Sequence, residues 1–181
     1  MRIYLDNSAT TNTDKRVVES MLPYMTEVYG NASSLHGFGR EAAAAVDEAR
    51  AKIAAVFNAK PQEIYVTSGG TESDNWALRG VAHANVKEGK HIITTAVEHP
   101  AIMQTCKQLE KEGFSLTYLP TGTDGRIRLE DLKAAVRDDT ILVSVMFANN
   151  ETGAIMPIKE IGAFCKENGI IFHTDAVQAI S

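Results

Sequence analysis

From Ile64 onward the chain alternates short apolar runs with amphipathic stretches, and this alternation limits the fold more than any other feature. Ile64–Thr67, His91–Thr95, Ser115–Leu119, Thr140–Phe147 and Ile170–Thr174 read as strands rich in β-branched and aromatic residues. Between them, Thr71 to about Asn85, Pro100–Glu112, Leu129–Val136 and Pro157–Asn168 carry helical periodicity. Pro100 suits the first turn of its helix, and Gly113 and Gly169 stop the helices before them. Thr71 and Asp74 have capping-box spacing. Strands separated by helices of this length predict a three-layer α/β/α fold around a mostly parallel sheet.

The first third is less regular. Ile3 to Thr11 starts extended and ends in small polar residues, as a strand or a lying-down arm. Thr13 is placed to cap a helix bearing Val17, Val18, Met21 and Leu22, which Pro23 breaks or kinks. Tyr29–Gly39 is dense in turn formers and reads as a loop, and Arg40–Phe57 as a helix with Val46, Ala49, Ile53 and Val56 on one face. No repeat or linker divides the 181 residues, so the expectation is one domain with an N-terminal arm over about residues 1–30. The net charge of −5 offers no basic stripe for nucleic acid. No apolar run approaches the roughly 18 residues of a membrane span, and the first residues lack the long apolar stretch of a signal peptide. Cys106 shares a helical face with Ile102 and Leu109, and Cys165 with Ile158 and Ile161, which fits buried free thiols in a reducing cytoplasm.

Chemistry concentrates at four strand exits, and in a parallel sheet such exits meet at one edge. Thr67-Ser-Gly-Gly-Thr-Glu-Ser73 lets backbone approach a ligand at a helix start, as a phosphate cradle does, although a tight turn with a capped helix has the same pattern. It matches neither the dinucleotide fingerprint nor the P-loop. In Ala96-Val-Glu-His-Pro100, His99 can stack on a ring, move a proton, ligate a metal, or be a plain loop residue. Phe147-Ala-Asn-Asn-Glu-Thr-Gly153 sends two amides off an apolar strand, suited to a phenolate oxygen or to an Asn-rich turn. The last exit delivers His173, Asp175 and Gln178. A carboxylate there can cap a helix or pair with a cation such as a protonated pyridine nitrogen. Cradle, stacking imidazole, amide and carboxylate together describe a site for pyridoxal phosphate. A metal hydrolase using His99, His173 and Asp175 is the alternative, but it leaves the Gly-Gly-Thr turn without a role.

At this point the motifs are familiar. Leu5-Asp-Asn-Ser-Ala-Thr-Thr11, Asn31-Ala-Ser-Ser-Leu-His36, Thr67–Ser73, Glu98-His-Pro100, Ala148-Asn-Asn-Glu-Thr-Gly153 and His173-Thr-Asp-Ala-Val-Gln178 resemble the cysteine desulfurases of the NifS/IscS type. These are fold-type I pyridoxal-phosphate enzymes of the class V aminotransferase superfamily. Ser8 stands where that family commonly has Asn, and Ala32 where it commonly has Pro. The resemblance implies that Gly70 and Thr71 hold the phosphate and that His99 stacks on the ring and assists proton transfer. It also implies that Asn150 and Gln178 bond the phenolic oxygen, that Asp175 pairs with the ring nitrogen, and that Asn7, Ala9 and Thr10 lie near the substrate.

By the same resemblance, a Schiff-base lysine in a Ser-x-His-Lys stretch, the persulfide-forming cysteine and a substrate-gripping arginine lie beyond Ser181. None of the ten lysines here follows a Ser-x-His. The expectation is therefore the amino-terminal half of the enzyme, a single incomplete large domain, holding most non-covalent contacts to pyridoxal phosphate but inactive alone. Its implied partners are L-cysteine, a sulfur acceptor such as an iron–sulfur scaffold, and a second copy or a complementary carboxy-terminal half. A non-catalytic assembly module and a related class V enzyme such as a selenocysteine lyase are the alternatives.

Overall fold

The computed structural model describes residues 2–180, which fall into two compact units on either side of the Val66–Thr67 bond. In the first unit, residues 2–13 form no helix or strand, and the chain turns at Asn7–Ala9, where Ala9 and Thr10 N–H both donate to Asp6 O. Helix α1 (Lys15–Thr26) is capped by Asp14, not Thr13. The Asp14 carboxylate accepts from Arg16 N–H and adds a charge-assisted bond from the Arg16 guanidinium. Helix α2 (Gly37–Val56) starts three residues before the periodicity does. His36 supplies the cap, its Nδ1 accepting from Gly39 N–H at 3.3 Å. A side chain at Gly39 would lie 2.2 Å from Ser34 O, so only glycine lets this turn close. Ile64–Thr67, expected as a strand, forms none.

The second unit is a four-stranded parallel sheet in the order β2-β1-β3-β4. Its strands are β1 (His91–Thr95), β2 (Ser115–Leu119), β3 (Thr140–Ser144) and β4 (Ile171–His173). β1 and β3 are buried from end to end, as central parallel strands with both faces covered must be. Helices α3 (Gly70–Ala84) and α4 (Pro100–Lys111) cover one face, where Leu78, Ile102, Cys106 and Leu109 pack on Ile92 and Leu142. Helices α5 (Leu129–Ala135) and α6 (Ile158–Glu167) cover the other, where Leu132, Ile161 and Cys165 pack on Ile93 and Val143. This is the expected α/β/α layering.

β3 leaves the regular ladder at Ser144, three residues before the apolar run ends, yet it does not leave the sheet. Val145 N–H donates to His173 O at 3.1 Å and Phe147 N–H to Asp175 O at 2.8 Å. The one fully buried histidine, His91, bonds Thr140 through Nδ1 and Thr117 through Nε2. Burial depresses its pKa, so it sits in the core as a neutral, satisfied group.

Candidate functional site

Within the second unit the carboxyl ends of β1, β3 and β4 share one edge, and three bonds lock their exits together. Phe147 N–H reaches Asp175 O, Asn149 Nδ2 donates to Val97 O at 3.0 Å, and Met146 N–H donates to the Glu98 carboxyl at 2.9 Å. The segments bearing His99, Asn150 and Asp175 are therefore held as one rim. Asn149 is the buried amide of the pair and serves the loop: its Oδ1 accepts from the N–H of Glu151 and of Thr152. That leaves the half-buried Asn150 as the amide that can face a ligand.

The Gly-Gly-Thr turn joins this rim. Gly69, not Thr71, is the N-cap of α3, and no side chain caps the helix. The expected capping box fails because Asp74 turns inward and is buried. Glu72 instead folds back to accept from Ser68 N–H and Oγ, both at 2.7 Å, and these bonds hold its pKa down. The first intrahelical bond runs from Ser73 N–H to Gly69 O, so the N–H groups of Gly70, Thr71 and Glu72 have no helical acceptor. A side chain at Gly69 would meet nothing, whereas one at Gly70 would stand 3.1 Å from the Val177 side chain. The free end of α3 thus lies against the Asp175–Gln178 turn.

Each remaining candidate has a definite setting. His99 caps α4: its Nδ1 accepts from Ala101 N–H at 3.2 Å, so the neutral ring carries its proton on Nε2, and the residue is exposed. The half-buried Asp175 accepts from Val177 N–H at 3.0 Å through Oδ1, while Thr71 and Gln178 are exposed. Asn7, Ala9 and Thr10 are exposed residues of the first unit. His173 is engaged in the sheet, its Nδ1 against Ser144 Oγ at 2.9 Å. Among the described residues no cluster of three or more His, Cys, Asp or Glu is arranged to hold a metal ion.

Two acids behind the rim, Asp74 and Glu98, are not among the site residues that the sequence predicts. Burial and the negative charge of Asp175 raise the Asp74 pKa to about 6, against a smaller opposing effect of His99. Burial raises Glu98 to about 7, partly offset by its bonds from Met146 and Thr95. Asp74 Oδ1 lies 3.8 Å from His173 Nε2. That contact is no ion pair, since Asp74 ionises only above about 6 while burial holds the His173 pKa below its usual value.

A carboxyl whose pKa rises on folding stabilises the fold below its ordinary pKa and loses that contribution as pH climbs through the folded value. The Asp74 window therefore runs from about 3.8 to about 6. Depressed His91 and His173 act oppositely, weakening the fold as pH falls below 6.5. Asp74→Asn isolates one acid from this background. In urea unfolding across pH 4–7, the variant should gain on the wild type as pH rises. A constant difference would refute the shifted carboxyl.

Comparison with known proteins agrees with this architecture. The sequence profile described as aminotransferase class-V matches residues 3–181. The chain belongs to the class-V aminotransferase family. It is 58% identical over 178 residues to a cysteine desulfurase IscS of Methanosarcina thermophila, covering 98% of this chain and 44% of that protein. A cysteine desulfurase IscS of Neisseria meningitidis is 56% identical over the same share of each. The class-V chain thus spans about half the length of the curated relatives it matches. Among solved structures, a NifS-like protein matches 99% of the chain and 50% of its own with a TM-score of 0.96 at 44% identity. A structure described as SspA in complex with cysteine matches 97% and 51%, with a TM-score of 0.93 at 39% identity. No helix among the described residues is long and apolar enough to cross a membrane.

Proposed function

We propose that this chain supplies the non-covalent pyridoxal-phosphate cradle of a cysteine desulfurase, which converts L-cysteine to L-alanine and passes the sulfur to a cysteine as a persulfide. The observation that carries the reading is the locked rim, where free helix N–H groups, an imidazole, an amide and a carboxylate meet at one sheet edge. Those donors fit the group's three polar features. Gly70 and Thr71 at the positive end of α3 suit a phosphate. Asn150 with Gln178 suits the phenolic oxygen, and Asp175 suits a protonated ring nitrogen. When bound, pyridoxal phosphate supplies an electron sink for charge developing at the substrate α-carbon.

The chain's own groups then have separable tasks. Asp175 would hold a proton on the ring nitrogen, and His99 would stack on the ring and offer its Nε2 proton. The likeness to cysteine desulfurases assigns Asn7, Ala9 and Thr10 to the substrate. Cys106 and Cys165 are fully buried, and burial pushes their thiols up to about 12 and about 11, so neither is the sulfur-accepting nucleophile. An iron–sulfur scaffold or another carrier is the sulfur acceptor, in the cytoplasm. A second reading, assembly on another copy or a complementary chain, is favoured by α1. That helix buries no residue and leaves Val17, Val18, Met21 and Leu22 exposed.

Titrating the isotopically labelled chain with pyridoxal phosphate tests the cradle. Saturable shifts should concentrate at the amides of Gly70 and Thr71 and at the His99 ring, with inorganic phosphate competing at the first two. Shifts absent from all three would refute it.

A further inference from the structure

Glu98 is 7% exposed, although its neighbours in sequence, Val97 and His99, are half-buried and exposed. Its Oε1 accepts two bonds of 2.9 Å, from Thr95 Oγ1 at the last residue of β1 and from Met146 N–H just past β3. The Thr95 hydroxyl in turn accepts from Val97 N–H at 3.3 Å. Val97 O receives the Asn149 amide. The backbone on both sides of Glu98 is thereby tied, and the next residue is His99. Its Oε2 is buried with no hydrogen-bond partner.

We infer that Glu98 is a positioning residue for His99: its buried carboxyl binds the exit of β1 to that of β3 and so fixes where the imidazole stands on the rim. An ionised oxygen buried without a partner is costly, which favours the acid form. The surrounding charges favour it too: Asp175 beyond β4 and Asp74 on α3 disfavour its anion. The acid form still accepts both bonds through Oε1. Ionisation would set a further anion among Asp74 and Asp175. This tie is a property of the fold. Only its use on a cofactor rests on the proposed function.

The Met146 amide and the His99 ring report on the tie in the labelled chain. In the wild type, the Met146 N–H resonance should titrate with a midpoint near 7, following the carboxyl that it bonds. Glu98→Gln copies the acid form, so it should abolish that titration and keep the His99 ring signals of the wild type at low pH. Glu98→Ala should displace both signals while Ile93 and Val143 amides in the core hold their places. A near-neutral Met146 titration that persists in Glu98→Gln overturns the inference, and that comparison decides even if the alanine variant does not fold. An alanine variant that leaves the His99 ring unmoved also overturns it. Adding pyridoxal phosphate to the wild type separates the two claims. A His99 ring that ignores it sinks the cofactor reading and leaves the Glu98 result standing.

Discussion

Replacing Asp175 by asparagine is expected to lower alanine release from L-cysteine by about 100- to 1,000-fold in an enzyme built on this chain, the scale of deleting one preorganised electrostatic partner. Asparagine has nearly the same shape. Its Oδ1 can still accept from Val177 N–H, and the backbone carbonyl still receives Phe147 N–H, so the turn and the rim survive. What disappears is the negative charge. Without it a pyridine nitrogen loses its proton near neutrality, and the ring no longer draws charge from the α-carbon. The loss should fall on kcat with little change in KM, because the interaction matters as charge develops and not when cysteine docks. Undiminished turnover in Asp175→Asn would remove this residue from the proposed mechanism.

Asp175 was legible because polar residues are conspicuous at the end of an apolar strand. The same contrast located His99 and the Asn149-Asn150 pair. It could not say which amide faces outward, since that depends on Val97 O lying within reach of Asn149 Nδ2 across the sheet. Nor could it find Glu98 or Asp74. Glu98 reads as an ordinary charged loop residue until the fold brings Met146 N–H against it. Asp74 reads as half of a capping box until α3 turns it under the rim, and its burial is what voids the cap.

The strands divide along the same line. His91–Thr95 and Ser115–Leu119 match their sequence limits because each has a parallel neighbour along its whole length. Ile64–Thr67 has equal β propensity and forms no strand, since propensity says how a residue fits a pleated surface and not whether a sheet is there to receive it. In the first unit the periodicity is right about helices but silent about what covers them. The apolar face of α2 includes Val46, Ile53 and Val56, all of which are exposed. Amphipathicity specifies an apolar face, and only tertiary structure supplies its partner.

Leu142 tests how far the rim depends on the core beneath it. The residue is fully buried at the middle of β3, opposite Ile92 on β1 and Ile171 on β4. Leu142→Ala is expected to cost about 3–5 kcal/mol, since it removes buried methyl groups and opens a cavity that Leu78, Ile102 and Leu109 cannot fill without moving. That is a large share of the roughly 5–15 kcal/mol that holds a typical domain together. β3 also lies between β1 and β4, so a slackened β3 loosens His99 and Asp175 relative to each other. Urea unfolding should therefore show a much lower midpoint at unchanged m-value, and pyridoxal phosphate should shift the Gly70 amide less at the same concentration. If the midpoint falls but the response to pyridoxal phosphate is untouched, the rim is held by its own hydrogen bonds alone. In that case the ties from Glu98, Asn149 and Phe147 carry the geometry without help from the sheet.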